Sequence, residues 1–274
     1  MYDSTDKPIV AYIAYEPYGI EYLERFIKHY NNFNSGYEHD LLICFKQFEN
    51  SEKIKKWEKK LSINYLKFDD SNQINDFDIG SYFRIAEKYP DRHILFLDTH
   101  TRPNTINWLK IFLNHYSEKK IIGATASYAS LSSQFLNFYY TQHSKFQQIR
   151  WGLKHLINVK LFPNPHIRTT GFFMKGKDLI SLNFNRNKFI KKIETNYFEG
   201  GRNGLSNKSI KNGFDLLLVN SDNQLFKIKD WHKSKTFCIN NQEKLIFIDN
   251  RTEEYSNSSL DVQKKMAKFT WGKI

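Results

Sequence analysis

Apolar segments of strand length alternate with segments of helical spacing through the first half of the chain, and this alternation most constrains the fold. Residues 8–15, "PIVAYIAY", predict a buried strand. The segment "GIEYLERFIKHYNNF" follows and repeats its apolar residues at helical spacing, at Leu23, Phe26, Ile27 and Tyr30. The same order recurs at "HDLLICFKQF" and "EKIKKWEKKL", at "SINYLKFDD" and "DIGSYFRIAEKY", and at "HILFLD" and "TINWLKIFLNHY", before "KIIGATAS" predicts a fifth strand. Such alternation favours an α/β fold with a mostly parallel central sheet flanked by helices.

The pattern changes from about residue 130. Residues 131–160 are aromatic and polar, and we expect helical or irregular structure there. "TTGFFMKGKDLISL" predicts a strand entering a helix, and "FDLLLVN" predicts a last strand. "GLSNKSIKNG" predicts a short helix with Ser206 as its N-cap and Gly213 as its stop signal. Because no repeat and no Pro- or Gly-rich linker interrupts the chain, we expect one domain over residues 1–252 and a basic tail at 253–274.

The composition is that of a globular protein, with 274 residues of which 40% are hydrophobic and 16% aromatic. No apolar run approaches the roughly 20 residues that a bilayer-spanning helix needs. The N-terminus lacks a basic region ahead of its apolar segment, so it does not predict a secretory signal. Two cysteines, Cys44 and Cys238, fit neither a disulfide framework nor a zinc site, and a reducing cytoplasm is the expected compartment.

The charge balance is basic, with 41 Lys and Arg against 29 Asp and Glu, a formal net charge of +12. Such an excess favours anionic partners, namely nucleic acid, a nucleotide or an anionic membrane surface. A chain rich in Lys, Asn and Ile acquires the same excess from composition alone. The basic residues are scattered and no RNA-binding or helix-turn-helix pattern occurs, so nucleic acid is not the expected partner.

Polar side chains follow the third and fourth predicted strands. Asp69 and Asp70 end "SINYLKFDD", while Asp98 and His100 follow the apolar run of "HILFLDTHTRP". In mostly parallel sheets, ligands bind outside the carboxyl ends of the strands, so we expect these side chains to face a ligand crevice. Alternatively, Asp98 caps the next helix while His100 points into solvent, and "DDSN" is ordinary turn chemistry.

Four segments in order resemble the GT-A-fold glycosyltransferases, in particular the large family 2 group of bacterial sugar transferases. They are "IVAYIAYEPYGIEYLERFI", "LFLDTHTRP" in the place of the Asp-x-Asp motif, "RTTGFFMKGKDLI", and "FEGGRNGLSNKSIKNGFDLLLVN". The similarity covers roughly residues 8–250. The segment "FCINNQEKLIFIDNRTEEY" also looks like the tail of glycan-biosynthesis proteins.

The resemblance implies a nucleotide-side half at about residues 8–128 and an acceptor-side half at about 129–252. It implies transfer of a sugar from a nucleotide-sugar donor, UDP-linked and with inversion, to a glycan or lipid-linked acceptor. The setting it implies is bacterial surface-polysaccharide assembly, such as capsule or O-antigen, at the inner face of the membrane. A basic, amphipathic C-terminus, "VQKKMAKFTWGKI", either lies on an anionic leaflet or packs as a tail.

The resemblance also assigns donor-binding residues. Asp98 would contact the ribose or a metal, and His100 stands where the family has a second carboxylate. Histidine is an acceptable ligand for Mn²⁺ and is less suited to Mg²⁺, so the metal requirement stays open. His232 is a further candidate metal ligand, with a structural role as the alternative. The remaining candidate donor-binding residues are Asp69, Asp70, Asp78, Arg168 and Arg202, and the alternatives for them are turns, an N-cap at Asp78, or surface ion pairs.

Glu199 is the candidate catalytic base, because the family carries a carboxylate before this helix that deprotonates the acceptor. Its neighbours Gly200 and Gly201 permit a close backbone approach to a substrate. A solvated loop glutamate is the alternative. Thr170 and Gly171 would lie on the acceptor side. Two other functional classes remain open, a non-catalytic nucleotide- or RNA-binding α/β protein and a nucleotidyltransferase, although "YIAYEPYGIEY" is a poor match to the phosphate loop of the latter.

Overall fold

The computed structural model describes residues 7–136, 144–185, 189 and 191–272. The strands are β1 (Ile9–Tyr15), β2 (Asp40–Lys46), β3 (Leu66–Asp70), β4 (His93–Leu97), β5 (Arg102–Pro103), β6 (Lys120–Gly123), β7 (Ala126–Ser127), β8 (His166–Ile167), β9 (Gly171–Lys175), β10 (Asp215–Val219), β11 (Leu225–Lys227) and β12 (Phe247–Ile248). The helices are α1 (Ile20–Asn32), α2 (Ser51–Glu58), α3 (Phe77–Lys88), α4 (Trp108–His115), α5 (Lys145–His155), α6 (Gly176–Ser181), α7 (Lys192–Gly200), α8 (Leu205–Lys211), α9 (Asn250–Ser256) and α10 (Leu260–Trp271). Short 3-10 helices cover Glu16–Tyr18, Leu131–Leu136 and Ile228–Ser234.

An eight-stranded sheet forms the centre of the molecule, in the order β11-β10-β6-β9-β4-β1-β2-β3. The pairs β3-β2, β2-β1, β1-β4 and β6-β10 are parallel. Strand β9 runs antiparallel between β4 and β6, and β11 is an antiparallel edge strand. The mostly parallel sheet flanked by helices that the sequence predicts is therefore confirmed.

Apolar side chains on both faces explain why the sheet is central. In β1, Ile9 and Ile13 belong to the core on one face, and Val10 and Tyr12 belong to the core on the other. Strands of a parallel sheet that is covered on both faces carry continuous rather than alternating apolar runs. Residues 9–14 are all buried, as this arrangement requires.

The start of α8 differs from the prediction. Its N-cap is Gly204, and Ser206 is a fully buried residue inside the helix. The Ser206 hydroxyl accepts a hydrogen bond from the backbone N–H of Ile167 at 2.9 Å, so it joins the helix to β8. Ser206 as N-cap was therefore wrong, because the side chain has a tertiary partner. The stop signal is confirmed, since Gly213 follows the helix with a φ of 79°.

The C-terminal segment packs on the domain. Met266 and Trp271 of α10 are buried, and the Trp271 indole N–H donates to the Phe237 carbonyl at 2.7 Å. Of the two arrangements open from the sequence, α10 adopts the packed one. Within the described parts of the chain, no helix combines the length and apolarity that a membrane span requires.

Candidate active site

A cleft of about 860 Å³ opens beyond the carboxyl ends of β1 and β4. Asp98 and His100 reach it from the turn after β4, and Glu199 reaches it from α7. Arg168 and Thr170 line it from the loop between β8 and β9. The structure thus brings together six of the side chains that the sequence singled out, since Asp78 also lines the cleft. A volume in the range of 300–1,000 Å³ is typical of sites for cofactors and small molecules.

Asp98 closes its own turn and also faces the cleft. Its Oδ1 accepts from the backbone N–H of His100 at 3.1 Å and from the Thr101 hydroxyl at 2.6 Å. The side chain is 8% exposed. Burial raises the pKa of Asp98 well above its ordinary value, and the nearby carboxylates of Asp78 and Asp249 raise it further. A cation or a proton bound near Asp98 would therefore relieve an electrostatic cost.

His100 is held between aromatic rings. Its imidazole lies 4.9 Å from the Tyr18 ring and 4.8 Å from the Tyr22 ring, centre to centre. Its Nδ1 is buried and has no hydrogen-bond partner among the described residues. Burial lowers the pKa of His100, so the imidazole is neutral at pH 7. A neutral ring with one unused nitrogen can accept a hydrogen bond or ligate a metal.

Glu199 lies on a helix and not on a solvated loop. Its Oε1 accepts the backbone N–H of Thr169 at 2.7 Å, which fixes the carboxylate beside the loop that carries Arg168. Lys192 and Asn196 line the same cleft from two turns and one turn earlier in α7. The spacing of seven and three residues before Glu199 is helical. This spacing was the sequence signal for α7, and the two glycines that follow Glu199 obscured it.

Arg168 has an internal partner. Its Nη1 donates to Asp249 Oδ2 at 2.7 Å, and its guanidinium lies 3.9 Å from the centre of the Phe237 ring. Burial raises the pKa of Asp249 while the Arg168 charge lowers it, and the balance lies below the ordinary value. Asp249 is thus ionised at neutral pH and compensates much of the Arg168 charge. The same aspartate caps α9, since its Oδ1 accepts the N–H groups of Arg251 and Thr252.

The acceptor-side candidates divide between cleft and core. Thr170 lines the cleft, and its carbonyl accepts the Thr101 hydroxyl at 2.8 Å and the Asp98 N–H at 3.3 Å. Gly171 begins β9 and is buried, outside the cleft lining. A Cβ there would lie 3.4 Å from Phe247, an ordinary contact. The packing therefore does not demand a glycine.

Asp78 lines the cleft from the first turn of α3. The N-cap position of α3 is Asp76, so Asp78 as the N-cap was wrong. Burial raises the pKa of Asp78, and the positive charges of Lys192 and Lys46 oppose this. Asp78 and Asp98 therefore form an acidic wall of the cleft.

Asp69 and Asp70 lie outside the cleft lining. Asp69 is exposed and accepts the N–H and hydroxyl of Ser71, the turn chemistry that was the alternative for it. Asp70 is buried in an ion network, 3.2 Å from Lys46 Nζ and 2.5 Å from Arg84 Nε. These ion pairs occupy both of its oxygens. Neither residue therefore belongs to the cleft.

The remaining candidates do not join the site. Arg202 is exposed and donates to the Leu156 carbonyl at 3.2 Å, and His232 lies on the 3-10 helix Ile228–Ser234, with neither lining the cleft. In the described part of the chain no three His, Cys, Asp or Glu side chains come together as a metal site. The predicted set of Asp98, His100 and His232 is therefore not assembled, because His232 lies outside the cleft that Asp98 and His100 line.

Several cleft residues had no clear signal in the sequence. Tyr18 follows β1, and Trp151 and Gln147 reach the cleft from α5, a segment without strand or motif landmarks. The C-terminal helix α10 contributes Met266 and Phe269, and Cys238 lies beside them. Burial raises the pKa of Cys238 to about 12, so its thiol stays protonated. Long-range packing brings these side chains to the site, and no local pattern encodes it.

No protein-family model matches this sequence, and no curated protein matches it significantly. Among solved structures, the galactosyltransferase LgtC with donor and acceptor sugar analogues is 13% identical, with a TM-score of 0.42 over 78% of this chain and 73% of LgtC. The mannosyltransferase Ktr4p from S. cerevisiae in complex with GDP is 11% identical, with a TM-score of 0.39 over 77% of this chain and 69% of Ktr4p. Core-mannan synthase A from Aspergillus fumigatus, in its Mn/GDP form, is 8% identical, with a TM-score of 0.38 over 78% of this chain and 71% of that protein. These three are glycosyltransferases, the class that the sequence resemblance names. The scores are too low to assign a function, so the function proposed below rests on the side chains of the cleft.

Proposed function

We propose that this protein is a glycosyltransferase that moves a sugar from a nucleotide-sugar donor to an acceptor hydroxyl. One observation carries the proposal, namely the distribution of charge in the cleft. Asp98 and Asp78 lie on the wall nearest β4 and α3, and Glu199 lies on α7 with Lys192 two turns earlier on the same face of the helix. Inverting glycosyl transfer uses this combination, a polar donor pocket, a positive charge for the leaving group and a separate base for the acceptor.

The donor occupies the wall formed by Tyr18, Asp98 and His100. The Tyr18 ring is half exposed at the mouth of the cleft and offers a stacking surface for a nucleobase. Asp98 accepts hydrogen bonds from ribose hydroxyls, and its raised pKa also suits it to a cationic neighbour. Lys192 is exposed in the cleft with its ammonium 5.5 Å from the centre of the Phe77 ring, beside Asp78, and provides positive charge for the diphosphate. Arg168 contributes less, because Asp249 already balances it.

A divalent metal, Mn²⁺ or Mg²⁺, would be held by Asp98 and His100. The unused, buried Nδ1 of His100 and the raised pKa of Asp98 both fit a cation at this position. Two protein ligands are few, and donor phosphate oxygens commonly complete such sites. When bound, the metal neutralises charge on the leaving diphosphate.

Glu199 acts as the catalytic base for the acceptor hydroxyl. The Thr169 N–H holds Oε1, which leaves the second oxygen to take the proton. A single base on the acceptor side corresponds to an inverting reaction, in which the acceptor attacks opposite the leaving diphosphate. The distance from Glu199 to a bound acceptor determines whether proton transfer is direct.

The finer assignments rest on the resemblance and on charge. We propose a UDP-linked donor and a glycan or lipid-linked acceptor of bacterial surface-polysaccharide synthesis, such as capsule or O-antigen. The net charge of +12 supports a place at an anionic membrane surface. One domain, with a nucleotide-side half at about residues 8–128 and an acceptor-side half at about 129–252, carries the whole reaction.

A donor panel tests the proposal. Purified protein is incubated with UDP-, GDP-, CMP- and dTDP-linked sugars, with and without Mn²⁺ and a set of glycan and lipid-linked acceptors. Release of the nucleotide together with a sugar-extended acceptor supports the proposal. Release of pyrophosphate from a nucleoside triphosphate and a sugar phosphate would instead identify a nucleotidyltransferase. If no nucleotide sugar binds or reacts, the donor site is refuted.

A further inference from the structure

Helix α5 turns apolar side chains toward solvent. Phe146, Ile149 and Leu153 of α5 and Ile157 in the turn after it recur at intervals of three, four and four residues, and the exposed fractions of Phe146, Leu153 and Ile157 are 74%, 57% and 84%. We call these four residues the α5 stripe. The opposite face of the helix is buried, through Gly152 and His155. Helices of globular proteins normally present the reverse arrangement, with the apolar face inward.

Exposed apolar side chains concentrate at this helix. Of the thirteen large apolar side chains that are exposed among the described residues, six lie between Phe146 and Leu161. The others are spread singly over the molecule, as is normal for a protein surface. A contiguous exposed apolar patch marks a contact site for a protein or a membrane.

The charge of the surrounding chain selects between these partners. Between Glu118 and Asp178 the sequence contains no acidic residue, while nine lysines and arginines occur there. Arg150 and Lys154 are exposed and lie four residues apart beside the α5 stripe. An apolar helical face flanked by cations is the pattern of helices that lie in the interface of an anionic membrane.

A second copy of the chain fits this surface poorly. A twofold interface would place the same patch on both subunits, so the Arg150 and Lys154 cations of both copies would lie in one interface. Within this acid-free segment no carboxylate is available to offset that repulsion. Anionic lipid headgroups offset it directly.

We propose that the α5 stripe, with Arg150 and Lys154, docks the protein on an anionic phospholipid bilayer. Phe146, Leu153 and Ile157 insert among the headgroups, and the two cations pair with lipid phosphates or carboxylates. The proposal differs from a C-terminal anchor, because α10 buries Met266 and Trp271 against the domain.

Docking through α5 places the cleft at the membrane surface. Gln147 and Trp151 lie on the same helix as the stripe and line the cleft. A helix with its side chains is about 10–12 Å across, so the cleft rim would stand within that distance of the headgroups. A lipid-linked acceptor could then present its sugar to the cleft while its lipid stays in the bilayer. This last step rests on the proposed function, whereas the docking itself does not.

Vesicle cosedimentation of the full chain tests the docking. The vesicles are phosphatidylcholine alone or phosphatidylcholine with 30% phosphatidylglycerol. The stripe variant is Leu153→Gln/Ile157→Gln, and the charge variant is Arg150→Gln/Lys154→Gln. Two controls are Ile106→Gln, which removes a side chain that is 61% exposed elsewhere, and the tail variant Lys264→Gln/Lys265→Gln/Lys268→Gln. Circular dichroism confirms that each variant is folded.

We expect the wild type to bind the anionic vesicles, and the stripe and charge variants each to bind at least tenfold more weakly. Ile106→Gln should bind like the wild type, and the tail variant should lose less vesicle affinity than the charge variant although it removes more charge.

Equal vesicle binding by the wild type and the stripe variant would overturn the proposal, as would a larger loss of affinity in the tail variant than in the charge variant. If the wild type binds neither kind of vesicle and sediments as a dimer, while the stripe variant sediments as a monomer, then a second copy occupies α5 and the membrane proposal is overturned. Vesicle binding needs no sugar donor. A negative result in this assay therefore does not refute the transferase proposal, and a negative donor panel does not refute the docking proposal.

Discussion

At the scale of single residues, Glu199 is the side chain whose role is most directly testable. In Glu199→Gln the amide oxygen can still accept the Thr169 N–H that Oε1 accepts at 2.7 Å, so the loop geometry should persist. The amide cannot accept the acceptor's proton, and we expect transfer to fall by roughly 100- to 10,000-fold with donor affinity nearly unchanged. Glu194→Gln, on the same helix and outside the cleft lining, is the control. Transfer at close to the wild-type rate would place the base elsewhere, with Asp78 the next candidate.

The burial of Asp98 predicts that its carboxylate lowers the stability of the ligand-free protein although the same carboxylate serves donor binding. Burial raises the pKa of Asp98 in the folded protein, whereas the unfolded chain has an ordinary value of about 3.9. Its contribution to stability is therefore complete below about pH 3.9 and is lost as the pH rises through the folded-state pKa. Above that pKa the ionised, buried carboxylate destabilises the ligand-free protein.

Asp98→Asn keeps an oxygen to accept from His100 and Thr101 and removes the titration. We expect the variant to be more stable than the wild type at pH 8, with the advantage shrinking as the pH falls, and to bind the donor at least tenfold more weakly. Urea unfolding of both proteins between pH 5 and pH 8 measures the first effect. A stability difference that does not vary with pH would contradict this account of Asp98.

Asp98 and His100 were predictable as cleft residues because each follows an apolar strand at a sheet edge where ligands bind. Asp69 and Asp70 obey the same rule and still fail to reach the cleft. For Asp70 the reason is Lys46, which is fully buried and pairs with Asp70 and Asp76, whereas Asp69 is exposed and accepts hydrogen bonds from Ser71 in its turn. A sequence does not reveal which strand-end carboxylate has a buried cation opposite it.

At the scale of elements, the junction between α9 and the cleft loop depends on one carboxylate. Asp249 accepts the Arg251 and Thr252 N–H groups at the start of α9 and also pairs with the buried Arg168. Removing one partner of a buried ion pair costs about 3–5 kcal/mol, because the other charge is left uncompensated. We therefore expect Asp249→Ala to lower the free energy of unfolding by at least that amount.

Asp249→Asn keeps the capping oxygen and should cost less than Asp249→Ala. The matched control is Asn50→Ala, which removes the side-chain cap of α2 without any ion pair and should cost about 1 kcal/mol. Urea unfolding of the three variants gives the order of these losses. If Asp249→Ala costs no more than Asn50→Ala, the pair with Arg168 contributes nothing to the junction.

Element boundaries follow from periodicity wherever the local pattern is strong. The β1 run and the helix "DIGSYFRIAEKY" were predictable because burial on both sheet faces and helical spacing leave clear patterns. Strand β9 was predicted as a strand, but its antiparallel place between β4 and β6 is a tertiary choice. The helix α7 was missed because its cleft-facing residues are polar and two glycines follow Glu199, so its helical spacing leaves no apolar period.

At the scale of the whole molecule, the site draws on distant parts of the chain. Tyr18, Glu199 and Phe269 line one cleft from the first, third and fourth quarters of the sequence. A ligand that fills the cleft would contact the turn after β4, α7 and α10 at once. Ligand binding should therefore stabilise the molecule as a unit and not one loop of it.

Thermal denaturation in the presence of nucleotides tests both this stabilisation by a ligand and the proposed metal site. At about 100 times its dissociation constant a ligand stabilises the folded state by roughly 2.7 kcal/mol, which for a chain of this size raises Tm by about 5 °C or more. We expect UDP to produce such a shift, and Mn²⁺ to enlarge it while having little effect alone, since the proposed site takes two ligands from the protein, Asp98 and His100. His100→Ala should abolish the Mn²⁺ increment and retain the shift with UDP alone, because the unused nitrogen is lost and the nucleobase surface of Tyr18 is not. His100→Asp should restore the increment and extend it to Mg²⁺, which prefers oxygen ligands. Equal metal increments in the wild type and both variants would show that His100 holds no metal, and no shift with any nucleoside diphosphate would remove the donor site from this cleft.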